Sequence, residues 1–146
     1  MGAIVDTNLY EAAFFPHSSQ PRQRVLFKEL NRRYDLLHNV VSLVELLKKS
    51  RLKTTIRSEI HRVLGGEKNL LCPELADWRL SAYLLADLGA RNPHMDIVAR
   101  RKMQMDALIA AIAIRYRLTL ISADRDFGLI KQTRTGRNLK LFCPEA

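Results

Sequence analysis

Four acidic residues that are distant in the sequence, Asp6, Glu45, Asp106 and Asp124, stand where apolar runs meet helix starts. Asp6 follows Ala3-Ile4-Val5, and Asp124 follows the run from Leu118 to Ser122. Glu45 begins a helix after the apolar stretch around Leu36 to Val41, and Asp106 opens Ala107-Leu108-Ile109-Ala110-Ala111-Ile112-Ala113-Ile114. Taken one at a time, each has a local explanation. Asp6, Asp106 and Asp124 suit helix N-caps, and Glu45 suits the third-position partner of a capping box with Ser42, each contributing about 1 kcal/mol. Together they demand more, because helix N-termini abutting one edge of a small sheet bring their carboxylates close. At about 5 Å and an effective dielectric near 20, each like-charged pair repels by roughly 3 kcal/mol. A cation is the natural counterweight, and oxygen ligands without Cys or His suit Mg²⁺ or Mn²⁺ rather than zinc or copper. Such cations activate water and stabilise charge on the attacking and leaving oxygens of a phosphodiester, which points to phosphoryl transfer.

The elements that must position these acids alternate. Ala3 to Val5 reads as a buried strand that stops at Asp6-Thr7-Asn8. The segment from Phe15 to Pro21 reads as a loop, and Val25 to Arg33 has helical spacing. Ser42-Leu43-Val44-Glu45 marks a helix start by its Ser-x-x-Glu spacing, with the helix reaching towards Leu52, and Thr55 to Leu64 forms another, ended by Gly65-Gly66. Asn69 to Cys72 predicts a third strand. Pro73 then opens an amphipathic helix through Leu80, Leu84 and Leu88, which Gly89 terminates. Asp96 to Met103 reads as helix or loop. The run after Asp106 is apolar on nearly every side, as a helix packed between a sheet and other helices must be. Leu118 to Ser122 is a strand, Asp124 to Gln132 a short helix and Leu139 to Phe142 a final strand. This alternation predicts an α/β fold with a mostly parallel sheet, whose ligands gather outside the carboxyl ends of the strands.

Length and composition fit a single domain over residues 1–146, with 47% hydrophobic and 27% charged residues. No apolar run approaches the roughly 20 residues of a membrane-spanning helix, and neither a secretory signal nor a myristoylation motif is visible, so a cytoplasmic protein without a membrane partner is expected. Cys72 and Cys143 lie far apart, outside any paired ligand pattern, and are expected as buried reduced thiols. His17, His38, His61 and His94 are scattered without zinc spacing and read as structural or surface residues. The net charge of +9 is the footprint of a protein that meets polyanions. The basic residues cluster, with Lys48, Lys49, Arg51, Lys53, Arg57 and Arg62 in one stretch, Arg91, Arg100, Arg101 and Lys102 in a second, and Lys131, Arg134 and Arg137 in a third. Any one of these runs alone would pass as a solvated helix face.

The order Ile4-Val5-Asp6-Thr7-Asn8, then Ser42-Leu43-Val44-Glu45-Leu46, then Met105-Asp106-Ala107-Leu108-Ile109-Ala110-Ala111, then Leu118-Thr119-Leu120-Ile121-Ser122-Ala123-Asp124-Arg125-Asp126-Phe127 resembles the PIN-domain family. Within it the chain looks most like the VapC toxins of toxin–antitoxin pairs. The resemblance runs through nearly the whole chain, and its Asp-Ala-Leu-Ile-Ala-Ala and Ser-x-Asp-x-Asp-Phe blocks are the most specific parts. It implies a three-layer α/β/α fold and Mg²⁺- or Mn²⁺-dependent endoribonuclease activity that leaves a 5′-phosphate and a 3′-hydroxyl. Asp6, Glu45, Asp106 and Asp124 match the family's acidic quartet as catalytic and metal-holding residues, and Asp126 matches a further acid that contributes in some members. Ser122 stands where the family commonly has Thr, and with Thr7 or Asn8 it is expected to orient a carboxylate or water. The resemblance also implies an RNA substrate, such as a tRNA or rRNA loop, a small antitoxin lying across a groove, and a homodimer.

Two other functions share this sequence pattern. A housekeeping RNA-processing nuclease would use the same site, and a neighbouring antitoxin-like reading frame distinguishes a toxin from it. A non-catalytic nucleic-acid-binding scaffold would have little reason to keep four mutually repelling acids. A receiver or phosphatase-like domain is disfavoured, because Asp6-Thr7-Asn8 lacks the second acid of an Asp-x-Asp motif.

Overall fold

The computed structural model describes residues 2–15, 21–51, 53–64, 66 and 69–144. Five strands form one sheet: β1 (Gly2–Val5), β2 (Asp35–Asn39), β3 (Leu70–Leu71), β4 (Thr119–Ile121) and β5 (Lys140–Phe142). Their order is β3-β2-β1-β4-β5, and every pairing is parallel. The helices are α1 (Thr7–Phe14), α2 (Pro21–Arg33), α3 (Val40–Ser50), α4 (Thr54–Leu64), α5 (Leu75–Arg91), α6 (Ile97–Lys102), α7 (Gln104–Arg115) and α8 (Arg125–Gln132), with a short 3-10 turn at Thr135–Asn138 before β5.

Period-two alternation along the central strand builds the three layers. Ala3 and Val5 point into one core, with Leu9, Tyr10, Leu46, Ile60 and Leu64 from α1, α3 and α4. Ile4 points into the other, with Leu84 and Leu88 of α5, Phe127 and Ile130 of α8, and α7. Residues 107–113 of α7 are all buried. This is the all-round apolar helix that its sequence predicts, and burying it fixes Asp106, in its first turn, against the sheet edge. His38 lies in the first of these cores, hydrogen-bonded through Nδ1 to the Tyr10 hydroxyl at 2.5 Å. Burial raises the Tyr10 pKa and lowers that of His38, so both are held neutral.

Several sequence expectations are corrected. Helix α3 starts at Val40 rather than Ser42, because Asn39, ending β2 in an extended conformation, caps it by accepting the Ser42 N–H at 2.7 Å. Ser42 and Glu45 therefore form no capping box. Helix α5 is capped by Glu74, with the Asp77 carboxylate accepting the Glu74 N–H in return. It also runs past Gly89 to Arg91. A Cβ at Gly89 would lie 2.7 Å from the Arg100 guanidinium, so this glycine makes room for a side chain from α6 instead of ending its own helix. Cys72 and Cys143 are exposed, not buried, because each directly follows an edge strand, β3 or β5. The loop expected from Phe15 to Pro21 falls mostly on residues outside those described, as do Leu52 and Gly65.

Helix α7 is also held from its far end. Asp77 of α5 is fully buried and accepts two hydrogen bonds from Arg115, 2.6 Å from Nε and 2.9 Å from Nη2. Removing the guanidinium would leave a buried carboxylate with only its cap contact. Arg115→Met is expected to lower unfolding stability by roughly 3 kcal/mol in urea titrations, whereas Arg62→Met, which removes an exposed pair with Glu59, should leave it nearly unchanged.

Candidate metal centre

In this strand order the chain proceeds outward from β1 through β2 to β3, then crosses to β4 and β5 on the other side. The order reverses between β1 and β4, and the crevice at their carboxyl ends is where open α/β sheets bind ligands. Asp6 is the first residue beyond β1. Its N–H continues the ladder by donating to Ile121 O at 3.0 Å, which fixes the residue at the mouth of the crevice. It occupies the N-cap position of α1, yet its carboxylate makes no cap bond. Oδ2 instead accepts the Ser122 hydroxyl at 2.9 Å, from just beyond β4. The cap explanation therefore fails for Asp6.

The same Ser122 oxygen accepts the Asp124 N–H at 2.9 Å, so one hydroxyl ties the ends of β1 and β4 together. Asp124 does cap α8, with Oδ1 accepting the Asp126 N–H at 2.9 Å. That contact curls its carboxylate over the first turn of α8, beside the side chain of Asp126. Asp106, Asp124 and Asp126 each offer a carboxylate oxygen, and these oxygens all lie within 4.8 Å of one another.

Glu45 enters from the other side, in the second turn of α3. Its Oε1 accepts the Thr7 hydroxyl at 3.2 Å, and the Thr7 oxygen lies 2.9 Å from that of the buried Ser42. Ser42 is the positioning residue that sequence reasoning missed. Its Ser-x-x-Glu spacing looked like a local cap, and only the packing of α1 against α3 reveals a partner 35 residues away. Asn8 is exposed and, among the described residues, makes no hydrogen bond to an acid.

Electrostatics joins the trio to the other two acids. Burial pushes the Asp6 carboxyl up to about 6 against the opposing Ser122 hydrogen bond, with the charges of Asp124 and Glu45 adding to the rise. Asp106 rises to about 7, first from burial and then from Asp6, Asp124, Asp126 and Glu45, so it senses all four other acids. Burial also raises Glu45, opposed by its Thr7 hydrogen bond, and raises Asp126, helped by Asp124. The sequence quartet thus converges as an electrostatic group. Its tightest part is Asp106, Asp124 and Asp126, with Asp6 and Glu45 flanking. The donors are carboxylates alone: His38 is committed to Tyr10, and His61 and His94 are exposed. His17 lies outside the described residues. Such a set fits a hard divalent cation, which would offset the burial and the mutual repulsion that together hold these acids above their ordinary range.

Comparison with known proteins bears on the fold and the family. No curated protein matches the chain in sequence. Seventeen chains of solved structures match its fold, among them the following three. VapBC2 from Rickettsia felis, bound to a DNA fragment from its promoter, superposes with a TM-score of 0.68 at 19% identity, covering 99% of this chain and 100% of that one. FitAB bound to an IR36 DNA fragment gives 0.71 at 16% identity, with 99% and 95% covered. FitAcB from Neisseria gonorrhoeae gives 0.64 at 20% identity, with 97% and 96% covered. The PIN domain model matches residues 3–132, and with the all-parallel sheet and the acids at its switch point, the chain belongs to the PIN domain family.

Proposed function

We propose that the protein is a divalent-metal-dependent endoribonuclease and the toxin of a VapBC-type toxin–antitoxin pair. The observation that carries this reading is the set of five acids at the β1/β4 switch point, two of them with carboxyls held up to about 6 and about 7. Asp106, Asp124 and Asp126 would hold Mg²⁺ or Mn²⁺, with Asp6 and Glu45 beside them. When bound, such a cation supplies the positive charge that polarises phosphoryl oxygens and activates water.

The protein's own groups do the positioning. Ser122 donates to Asp6 and accepts from the Asp124 backbone, which fixes the spacing of acids on two different strands. Thr7 holds the Glu45 carboxylate turned towards the crevice. The buried wall of α7 behind Asp106 limits water on that side and strengthens every charge interaction in front of it. Hydrolysis directed by such a site would leave a 5′-phosphate and a 3′-hydroxyl. The substrate fits the basic surface, and a structured RNA such as a tRNA or rRNA loop is the proposed target.

The solved neighbours named above as VapBC2 and FitAB support a small antitoxin as partner, and a homodimer belongs to the same proposal. A cleft of about 630 Å³ between α1, α2 and α4 has apolar walls at Phe14, Phe27 and Val63, a basic group at Lys28 and the Arg62–Glu59 pair at its edge, and would suit an amphipathic segment of an antitoxin. No helix among the described residues is long and apolar enough to cross a membrane.

Two experiments test the site. Purified protein incubated with a tRNA and rRNA panel should cut with Mg²⁺ or Mn²⁺ and not in chelator. Asp6→Asn should abolish cutting and Ser122→Ala should lower it roughly 10- to 100-fold. Equal cutting in chelator, or products ending in a 2′,3′-cyclic phosphate, would refute the mechanism.

The second experiment reads stability. Because Asp106 has a folded-state pKa of about 7 against an ordinary value near 3.8, the native state holds the proton more tightly. Without divalent cation, stability should therefore fall as pH rises from about 4 to about 7 and stay low above that. Asp106→Asn should be more stable than the parent at pH 8, with the difference closing at pH 4. Thermal denaturation should also show Mg²⁺ stabilising the parent more at pH 8 than at pH 5.

A further inference from the structure

Asn39 ends β2 at the same edge of the sheet as the acids, and it is fully buried. Its Oδ1 accepts the Ser42 N–H, but its Nδ2 is buried and, among the described residues, has no hydrogen-bond partner. Turning the amide over would not pair it, because the Ser42 N–H needs an acceptor and so fixes which end of the amide is oxygen. Native proteins leave few buried donors unmet, since such a donor loses its hydration and gains nothing in return.

The sheet register selects the acceptor that this donor meets. Strand β1 pairs with β2 with Ile4 beside Leu37, and with β4 with Val5 beside Ile121. Asp6 and Asn39 each stand two residues beyond Ile4 and Leu37, both with extended backbones, so they form the next pair on the same sheet face. That face is the one α7 covers, because Ile4, Leu37 and Leu120 all pack in the core with α7. Ser122, one step past Ile121, falls in the same row. Across the carboxyl end of the sheet the row therefore reads Ser122, Asp6, Asn39, on β4, β1 and β2. The Ser122 hydroxyl donates to Asp6 from one flank. On the far side of Asn39 the paired residue is Leu71, whose side chain has no acceptor. The Asp6 carboxylate is thus the acceptor one strand spacing away, about 4.8 Å, and a carboxylate takes several donors at once. We propose that Asn39 is a positioning residue of the carboxylate site: its Nδ2 donates to Asp6, directly or through one ordered water, and with Ser122 holds that carboxylate from both flanks. Asn39 touches no substrate and acts only through Asp6. The proposal rests on the carboxylates as a cation site and not on RNA as the substrate.

Asn39→Ser keeps an oxygen to cap α3 and withdraws the amide, Ser and Asn being near-equal caps. Calorimetric titration with Mn²⁺ should show the affinity of this variant reduced roughly 10- to 100-fold from the parent. In chelator it should unfold at lower urea than the parent, and the decrement should at least halve when both proteins carry Asp6→Asn. A small cavity or a weaker cap would cost the same in both backgrounds, so an equal decrement overturns the proposal, as does an unchanged Mn²⁺ affinity. Should Asn39→Ser fail to fold, Asn39→Asp, which keeps the length and the cap oxygen, takes its place. It sets two carboxylates side by side, and the urea midpoint it loses should be recovered when Asp6→Asn returns an amide from the other side; absence of recovery overturns the proposal. A parent that binds neither Mn²⁺ nor Mg²⁺ would remove the cation site and with it the positioning role of Asn39. A parent that binds Mn²⁺ yet cuts no RNA, with the Asn39 results as expected, would remove the ribonuclease reading alone and leave this proposal standing.

Discussion

Asp6 is attached to the end of a strand that is buried on both faces, and its backbone is committed to the sheet through Ile121. The residue is only 3% exposed, and its carboxylate is held inside by the Ser122 hydroxyl. One hydroxyl, that of Ser122, offsets part of the cost of burying it. The rest of the site is arranged around that trapped charge. Ser122 must sit just past β4, β4 must pair directly with β1, and the helices after both strands must begin at the same edge. Moving β4 to any other place in the sheet would leave Asp6 buried without a partner, a cost of several kcal/mol.

The magnitudes show why local helix effects do not complete the account. Asp124 caps α8, while Asp106 and Asp126 lie in the first turns of α7 and α8. A helix N-terminus stabilises a nearby carboxylate by about 0.3–1 kcal/mol, whereas each close pair of carboxylates repels by roughly 3 kcal/mol. With three carboxyl groups within 4.8 Å and two more adjacent, repulsion exceeds what the helix ends provide. The protein therefore either binds protons there or binds a cation. The buried residues 107–113 of α7 and the Arg115–Asp77 pair anchor the opposite end of the same helix.

Much of this arrangement is legible in the sequence because it is written in strand-then-acid junctions. An apolar run that stops at an acid marks the carboxyl end of a buried strand, and parallel strands bring such ends to one edge. What is not legible is which neighbours the acids acquire. Ser-x-x-Glu at Ser42 imitates a capping box, but the cap belongs to Asn39, and the hydroxyl of Ser42 turns to Thr7 on another helix. Gly89 imitates a helix end, but it answers a close approach by Arg100. Asp126 reads as an accessory acid, yet it stands in the tightest trio because Asp124 folds back over its N–H. In each case the local pattern is genuine, and a contact from a distant segment decides its use.

The basic surface and the acid cluster need separate roles if a polyanion is to approach five carboxylates. Screening at physiological salt confines charge effects to about 8 Å, so the net charge of +9 would govern encounter with a polyanion and leave the local field at the crevice acidic. Only cations at the rim bridge the two regimes. Lys48 and Lys49, at the end of α3, lie on the helix that carries Glu45, and Lys48 acts on Glu45 directly. Arg125, exposed, stands between Asp124 and Asp126 in sequence. A phosphate drawn in by the wider surface therefore meets a graded field, positive at the rim and negative at the centre. It would settle at the centre only with the acids neutralised, so the proposed activity would couple substrate entry to occupation of the carboxylate site.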